Sequence, residues 1–122
     1  MKRDLEFIRE VLINIEENCA PMTMYPISFE MSKKGYDGDY VLNHLILMEE
    51  EGLLGRVNKV GGSFFCMGLS NRGYDFLETI RNDIVWEKTK KEIQEKKLPK
   101  TVKFIAEIAG IFVGEMLKHK NG

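Results

Sequence analysis

The chain is predicted to be an α+β fold, a winged helix-turn-helix with a C-terminal helical extension. Three stretches point there. Val41, Leu42, Leu45, Ile46 and Met48 recur at helical spacing, and the pattern stops at Gly52, a residue with easy access to positive φ. Gly61-Gly62 then separates two runs of strand-forming residues, Arg56 to Val60 and Ser63 to Met67, as the turn of a hairpin would. Ser70 opens a further amphipathic helix. With a first helix and a short strand ahead of them, these elements give helix, strand, helix, hairpin, helix, the order of a winged helix in which the hairpin is the wing.

Each element has its own local cause. Asp4 caps a first helix in which Leu5, Ile8, Val11, Leu12 and Ile15 follow at steps of three and four, and Glu6 sits at the positive end of the helix dipole. Pro21 and Pro26 disfavour helix, and the alternation Ile27-Ser28-Phe29-Glu30 predicts a short edge strand. Lys33-Lys34-Gly35 reads as a turn, and Asp37-Gly38-Asp39 as a second, cramped one before the central helix. After the hairpin, Tyr74, Phe76, Leu77, Ile80, Ile84, Val85 and Trp86 keep one helical period, which predicts a single long helix. Beyond Trp86 the residues are mostly charged, with Ile93 alone to bury, as in a solvated extension; Glu87–Lys91 and Glu92–Lys96 stand in the favourable order for helical pairs. Leu98-Pro99 breaks that helix, and Thr101 caps a last one running to about Lys118. The expected division is a winged-helix domain at 1–86 and a helical extension at 87–122.

Composition limits the function. The chain has 122 residues, of which 43% are hydrophobic, enough for one domain with a real core. Its net charge of −1 hides an asymmetry: residues 1–83 hold nine Lys/Arg and fourteen Asp/Glu, residues 84–122 nine Lys and five Glu. Cys19 and Cys66 give neither a metal spacing nor a disulfide framework, so two reduced thiols are expected. Met1 to Glu6 has no apolar signal core, and a cytoplasmic location is expected.

Several stretches match a family. Lys2-Arg3-Asp4-Leu5 with Ile8-Arg9-Glu10 has its opening; Asn43-His44-Leu45 and Glu50-Glu51-Gly52-Leu53-Leu54 follow. More specific is Leu69-Ser70-Asn71-Arg72-Gly73-Tyr74-Asp75-Phe76-Leu77, then Ile80-Arg81-Asn82-Asp83 and Val85-Trp86-Glu87-Lys88-Thr89-Lys90. Over nearly its whole length the chain resembles the phage and prophage proteins grouped as domain of unknown function 2513. The resemblance implies a winged-helix-like fold, a bacterial or phage cytoplasmic setting and no known enzymatic activity. It supplies no catalytic residues.

The residues themselves carry no catalytic constellation: there is no P-loop, dinucleotide fingerprint or triad pattern. His44 has no partners at metal spacing among Cys19, Cys66 and His119, and is expected to pack and hydrogen-bond. Cys66, between Phe65 and Met67, is read as a small half-buried hydrophobe, and Trp86, Tyr74 and Phe76 as core. No metal, cofactor or catalytic residue is predicted.

A recognition helix for DNA needs Arg, Lys, Asn or Gln outward. The central helix offers Asp37, Asp39, Asn43, Glu49, Glu50 and Glu51, with no Lys or Arg between Asp37 and Gly55. The expected function is therefore a non-enzymatic regulatory or interaction module of phage or prophage type whose partner is a protein. The alternative is a dimeric DNA-binding regulator that uses the wing and the Lys88–Lys103 cluster, with Arg56, Lys59, Lys90 and Lys97 as its contacts. The last helix is apolar around most of its circumference, and Ala106, Gly110 and Gly114 recur every four residues. Homodimerisation is expected there, through Phe104, Ala106, Ile108, Gly110, Ile111, Phe112 and Gly114. A membrane span needs ~20 largely apolar residues, and this run is shorter and interrupted by Lys103, Glu107 and Glu115.

Overall fold

Asp4 starts the first helix: its Oδ1 accepts the Phe7 N–H at 3.1 Å, and α1 runs over Leu5–Asn18 with Phe7, Val11, Leu12 and Ile15 buried. The computed structural model describes residues 2–121, and side chains as far as Lys118. After α1 the chain is extended at Tyr25, which forms an isolated antiparallel bridge with Cys66: the Tyr25 N–H donates to the Cys66 carbonyl at 2.7 Å, and the Tyr25 carbonyl accepts the Cys66 N–H at 3.0 Å.

The strand expected at Ile27–Glu30 is a helix, α2, over Ile27–Ser32. Alternation across four residues fits either period, and the residues that go inward are Ile27, Ser28 and Met31, which is helical spacing. Pro26 does not oppose this, because a proline at a helix start removes only an N–H that the first turn leaves unpaired; its carbonyl accepts the Glu30 N–H at 3.0 Å. The Ser28 hydroxyl accepts the Phe64 N–H at 2.8 Å and so fastens α2 to the hairpin.

The central helix, α3, spans Gly38–Glu50. Asp37 is its N-cap and not a separate turn: the carboxylate accepts the N–H groups of Asp39 and Tyr40 at 3.1 and 3.2 Å. At the other end Gly52 has φ +74°, its N–H donates to the Glu49 carbonyl and the Leu53 N–H to the Met48 carbonyl, the paired bonds of a Schellman ending. The hairpin is β1 (Val57–Val60) and β2 (Ser63–Cys66), antiparallel, with Val60 opposite Ser63. Gly61 and Gly62 both have positive φ, as a type I′ turn requires. Phe64 and Cys66 point into the core while β1 is largely exposed.

Ser70 caps α4 (Asn71–Ile80), accepting the Gly73 N–H at 3.0 Å. The helix expected to continue through Trp86 ends at Ile80. Asn82 takes an extended conformation and caps a new helix, α5 (Asp83–Lys96), by accepting the N–H groups of Ile84 and Val85. Period alone did not reveal the break, because Phe76, Leu77, Ile80, Val85 and Trp86 are all buried on either side of it. Thr89 is buried with Ile93, its hydroxyl donating to the Val85 carbonyl at 2.7 Å, so α5 is more than a solvated extension. Lys97 ends α5 in the left-handed region at φ 51°, and Thr101 caps α6 (Val102–Asn121). α5 and α6 pack together, with Ile105, Ile108 and Ala109 buried on α6.

The chain forms two compact units, Met1–Tyr74 and Asp75–Gly122, which meet inside α4. The fold is α+β: among the described residues, six helices and one two-stranded antiparallel sheet. The first unit depends on a close approach of backbones at Gly73, where an added Cβ would lie 2.0 Å from the Leu53 carbonyl oxygen. Gly73→Ala should therefore destabilise the protein by roughly 2 kcal/mol or more. Gly61→Ala, with open space around it, should cost only about 1 kcal/mol for the positive φ. Urea unfolding of the two variants beside the wild type measures the difference.

Candidate functional site

α3 has two faces, and their chemistry differs. Val41, His44, Leu45 and Met48 are buried, while Asp39, Asn43, Ile46 and Glu50, at steps of three and four, are exposed. The outward face is thus two carboxylates, one amide and one aliphatic side chain. At its C-terminal end the neighbouring cations are drawn to carboxylates of the helix: Lys59 of β1 meets Glu49 at 2.9 Å, and Arg72 meets Glu51 at 3.6 Å. No ion pair among the described residues engages Asp39 or Glu50.

The inward side is fixed by an aromatic and hydrogen-bonded cluster. Phe7 of α1 contacts Tyr36, Tyr40 and His44 edge-on, at 4.7, 5.1 and 5.1 Å between ring centroids. The Asp4 N–H donates to His44 Nε2 at 3.1 Å, and Nδ1 lies 2.9 Å from the Tyr40 carbonyl. Nε2 is therefore the acceptor and Nδ1 the N–H donor, the arrangement of a neutral imidazole. The Tyr40 hydroxyl donates to the free oxygen of the Asp4 carboxylate, and the Tyr36 hydroxyl to Glu10 at 2.5 Å. Burial first, and then the bond to Asp4, push the Tyr40 phenol up to about 12. The bond to Glu10 is the largest cause raising Tyr36. The expectation that His44 packs and hydrogen-bonds holds. Among the described residues no buried side-chain nitrogen or oxygen lacks a partner, and this cluster ties α1 to α3.

A polar groove of about 340 Å³ runs along α1, where Glu6, Arg9, Glu10, Glu17 and Lys34 mix both signs of charge. No group of three or more His, Cys, Asp or Glu side chains among the described residues is placed to hold a metal ion, and His119 lies outside the described side chains. Both cysteines are free; burial pushes the Cys66 thiol up to about 12, while Cys19 is partly exposed.

The candidate nucleic-acid contacts lie in different units. Arg56 and Lys59 belong to the first, both exposed, with Lys59 held by Glu49. Lys90 and Lys97 belong to the second: Lys90 is half-buried, 3.0 Å from Glu87 and 5.6 Å from the Trp86 ring centroid, and Lys97 is the exposed left-handed residue that ends α5. Of the candidate interface residues on α6, Ile108 is buried, Phe104, Ala106, Phe112 and Gly114 are half-buried, and Gly110 and Ile111 are exposed. No helix among the described residues is long and apolar enough to cross a membrane.

Sequence reading missed the Tyr36–Tyr40–His44 cluster, although the signal was present: the three residues stand four apart and share one side of the chain as it enters α3. The Lys59–Glu49 pair had no such signal, since it depends on how the hairpin lies against α3.

The family model described as "Hypothetical protein (DUF2513)" matches residues 2–99. An uncharacterized protein of Haemophilus influenzae is 29% identical over 121 residues, covering 96% of this chain and 99% of that one. No solved structure matches.

Two measurements probe the cluster and the thiols. A thiol reagent should label Cys19 in the native protein and reach Cys66 only on unfolding; equal native rates would contradict the burial of Cys66. Tyr40 is raised from 10.0 to about 12, so its contribution to stability is complete below pH 10 and is lost as pH rises towards 12. Tyr40→Phe should cost about 1–2 kcal/mol at neutral pH and should shrink the stability loss in that alkaline window. Chemical denaturation at several pH values reads both.

Proposed function

The chain belongs to the DUF2513 family of hypothetical proteins, and on that footing we propose that it is a non-enzymatic, winged-helix regulatory or interaction module of phage or prophage type, cytoplasmic, whose α3 face docks a protein and not duplex DNA. The winged-helix reading is supported by the first unit: α1, the Tyr25 bridge to the hairpin, α2, α3 and the β1–β2 hairpin follow in the order of helix, edge strand, two helices and wing. In this reading α2 and α3 are the helix-turn-helix pair and α3 holds the recognition position.

The observation that carries the choice of partner is the outward face of α3. Asp39, Asn43, Ile46 and Glu50 are what that helix would present to a groove. Duplex DNA carries one negative charge per ~1.7 Å of axis. Two carboxylates on a fixed helix, with no cation between them, face that field unfavourably. A protein surface with cations around an apolar centre meets the same four side chains favourably: the carboxylates take the cations and Ile46 the apolar contact. The module then acts by occupying its partner, with no chemical step and no cofactor.

Fluorescence anisotropy with a labelled random duplex tests the choice. At ~150 mM salt the expected affinity is no tighter than the ~10⁻⁴–10⁻⁶ M of ordinary non-specific binding. Sub-micromolar binding that loses salt dependence when Arg56, Lys59, Lys90 and Lys97 are neutralised would establish the DNA-binding alternative instead.

A further inference from the structure

α6 has an unpartnered face. Ile105, Ile108 and Ala109 are buried on one side of the helix, and Ile111 and Leu117, on the other, are 62% and 56% exposed. Gly110 is exposed, Gly114 is half-exposed, and a Cβ built on either meets nothing within 4 Å. Glu107 lies one turn before this glycine pair and Lys118 one turn after it. Both are exposed, and neither has an ion pair among the described residues.

We propose that this face docks the same face of a second copy, the two α6 helices crossing antiparallel at Gly110 and Gly114. Three features favour that occupant and that direction. First, the glycines leave room for a second backbone to come close, and the exposed Ile111 and Leu117 would lose contact with water at the crossing. Second, placing Gly110 of one copy against Gly114 of the other sets Glu107 within one residue of Lys118 of the second copy, and twofold symmetry makes that pair twice. Third, a parallel crossing would set Glu107 against Glu107 and Lys118 against Lys118, two like-charge contacts. The charge order along this one helix therefore distinguishes the two directions.

The test uses the full chain and a charge exchange. Sedimentation equilibrium over a wide concentration range is applied to the wild type, to Glu107→Lys, to Lys118→Glu and to the double variant, with circular dichroism confirming that each is folded. The proposal expects a dimer for the wild type. It expects each single reversal to weaken dimerisation roughly tenfold or more, since two pairs change sign, and the double reversal to restore it. Gly110→Leu should weaken association in the same way without unfolding the chain. A wild type that stays at 14.1 kDa into the high micromolar range overturns the proposal. So does a dimer indifferent to the single reversals, or one that they weaken and the double reversal fails to rescue.

Discussion

The first unit depends on one link between the start of α1 and the middle of α3. A main-chain N–H and a side-chain carboxylate, both from Asp4, are matched to His44 Nε2 and to the Tyr40 hydroxyl. The same carboxylate caps α1 through the Phe7 N–H, and Phe7 supplies the ring against which Tyr36, Tyr40 and His44 pack. One residue thus begins a helix and anchors it to another. His44 is fully buried, and a buried imidazole with an unmatched nitrogen would cost about 1–3 kcal/mol. Both of its nitrogens have partners, so that penalty does not arise; the bond at Nδ1 closes within α3, and the bond at Nε2 ties α3 to the start of α1. With the inward side fixed, Asp39, Asn43, Ile46 and Glu50 are fixed outward.

The second unit shows why a run of lysines need not be a cationic surface. α5 looks basic in the sequence, yet Lys90 meets Glu87 at 3.0 Å, Lys91 meets Glu95 at 4.0 Å, and Lys96 is hydrogen-bonded to Glu92. That last contact is the main cause raising the Lys96 ammonium above its ordinary value. Helical spacing makes these pairs: glutamates three or four positions away lie on the same strip of surface. The helix compensates its own charge along its length, and beyond it Lys97, Lys100 and Lys103 follow one another in the sequence with no acid between them. Lysines that are mutually compensated in this way release few counterions from a polyanion, which weakens the case for them as phosphate contacts.

What was legible in the sequence was local. The caps at Asp4, Ser70 and Thr101, the ending at Gly52 and the turn at Gly61-Gly62 each depend on residues within a few positions of one another, and all five appear where the residue types put them. The strand expected at Ile27–Glu30 failed because four alternating residues also fit a turn of helix, and the deciding contact, Ser28 with Phe64, is 36 residues away. The single helix expected through Trp86 failed for the opposite reason: the apolar period persists across Arg81-Asn82, while a local cap interrupts the backbone. On the candidate site, composition disclosed the acidity of α3. It could not disclose which of its acids face outward, because that depends on the long-range link to Asp4.

The weight to give Lys59 follows from magnitudes. Its pair with Glu49 is exposed on both sides, 56% and 34%, and exposed pairs of this kind contribute about 0.2–1 kcal/mol. Such a pair neither holds the hairpin in place nor prevents Lys59 from turning to another anion; a flexible lysine exchanges partners at little cost. The carboxylates of Asp39 and Glu50 are different, because they stand on a helix whose orientation is set by buried contacts and cannot turn away without breaking them. An approaching polyanion could recruit Lys59 but could not remove those two charges from its path. The choice between a protein and a duplex therefore depends on the fixed face of α3 and not on the mobile cation beside it.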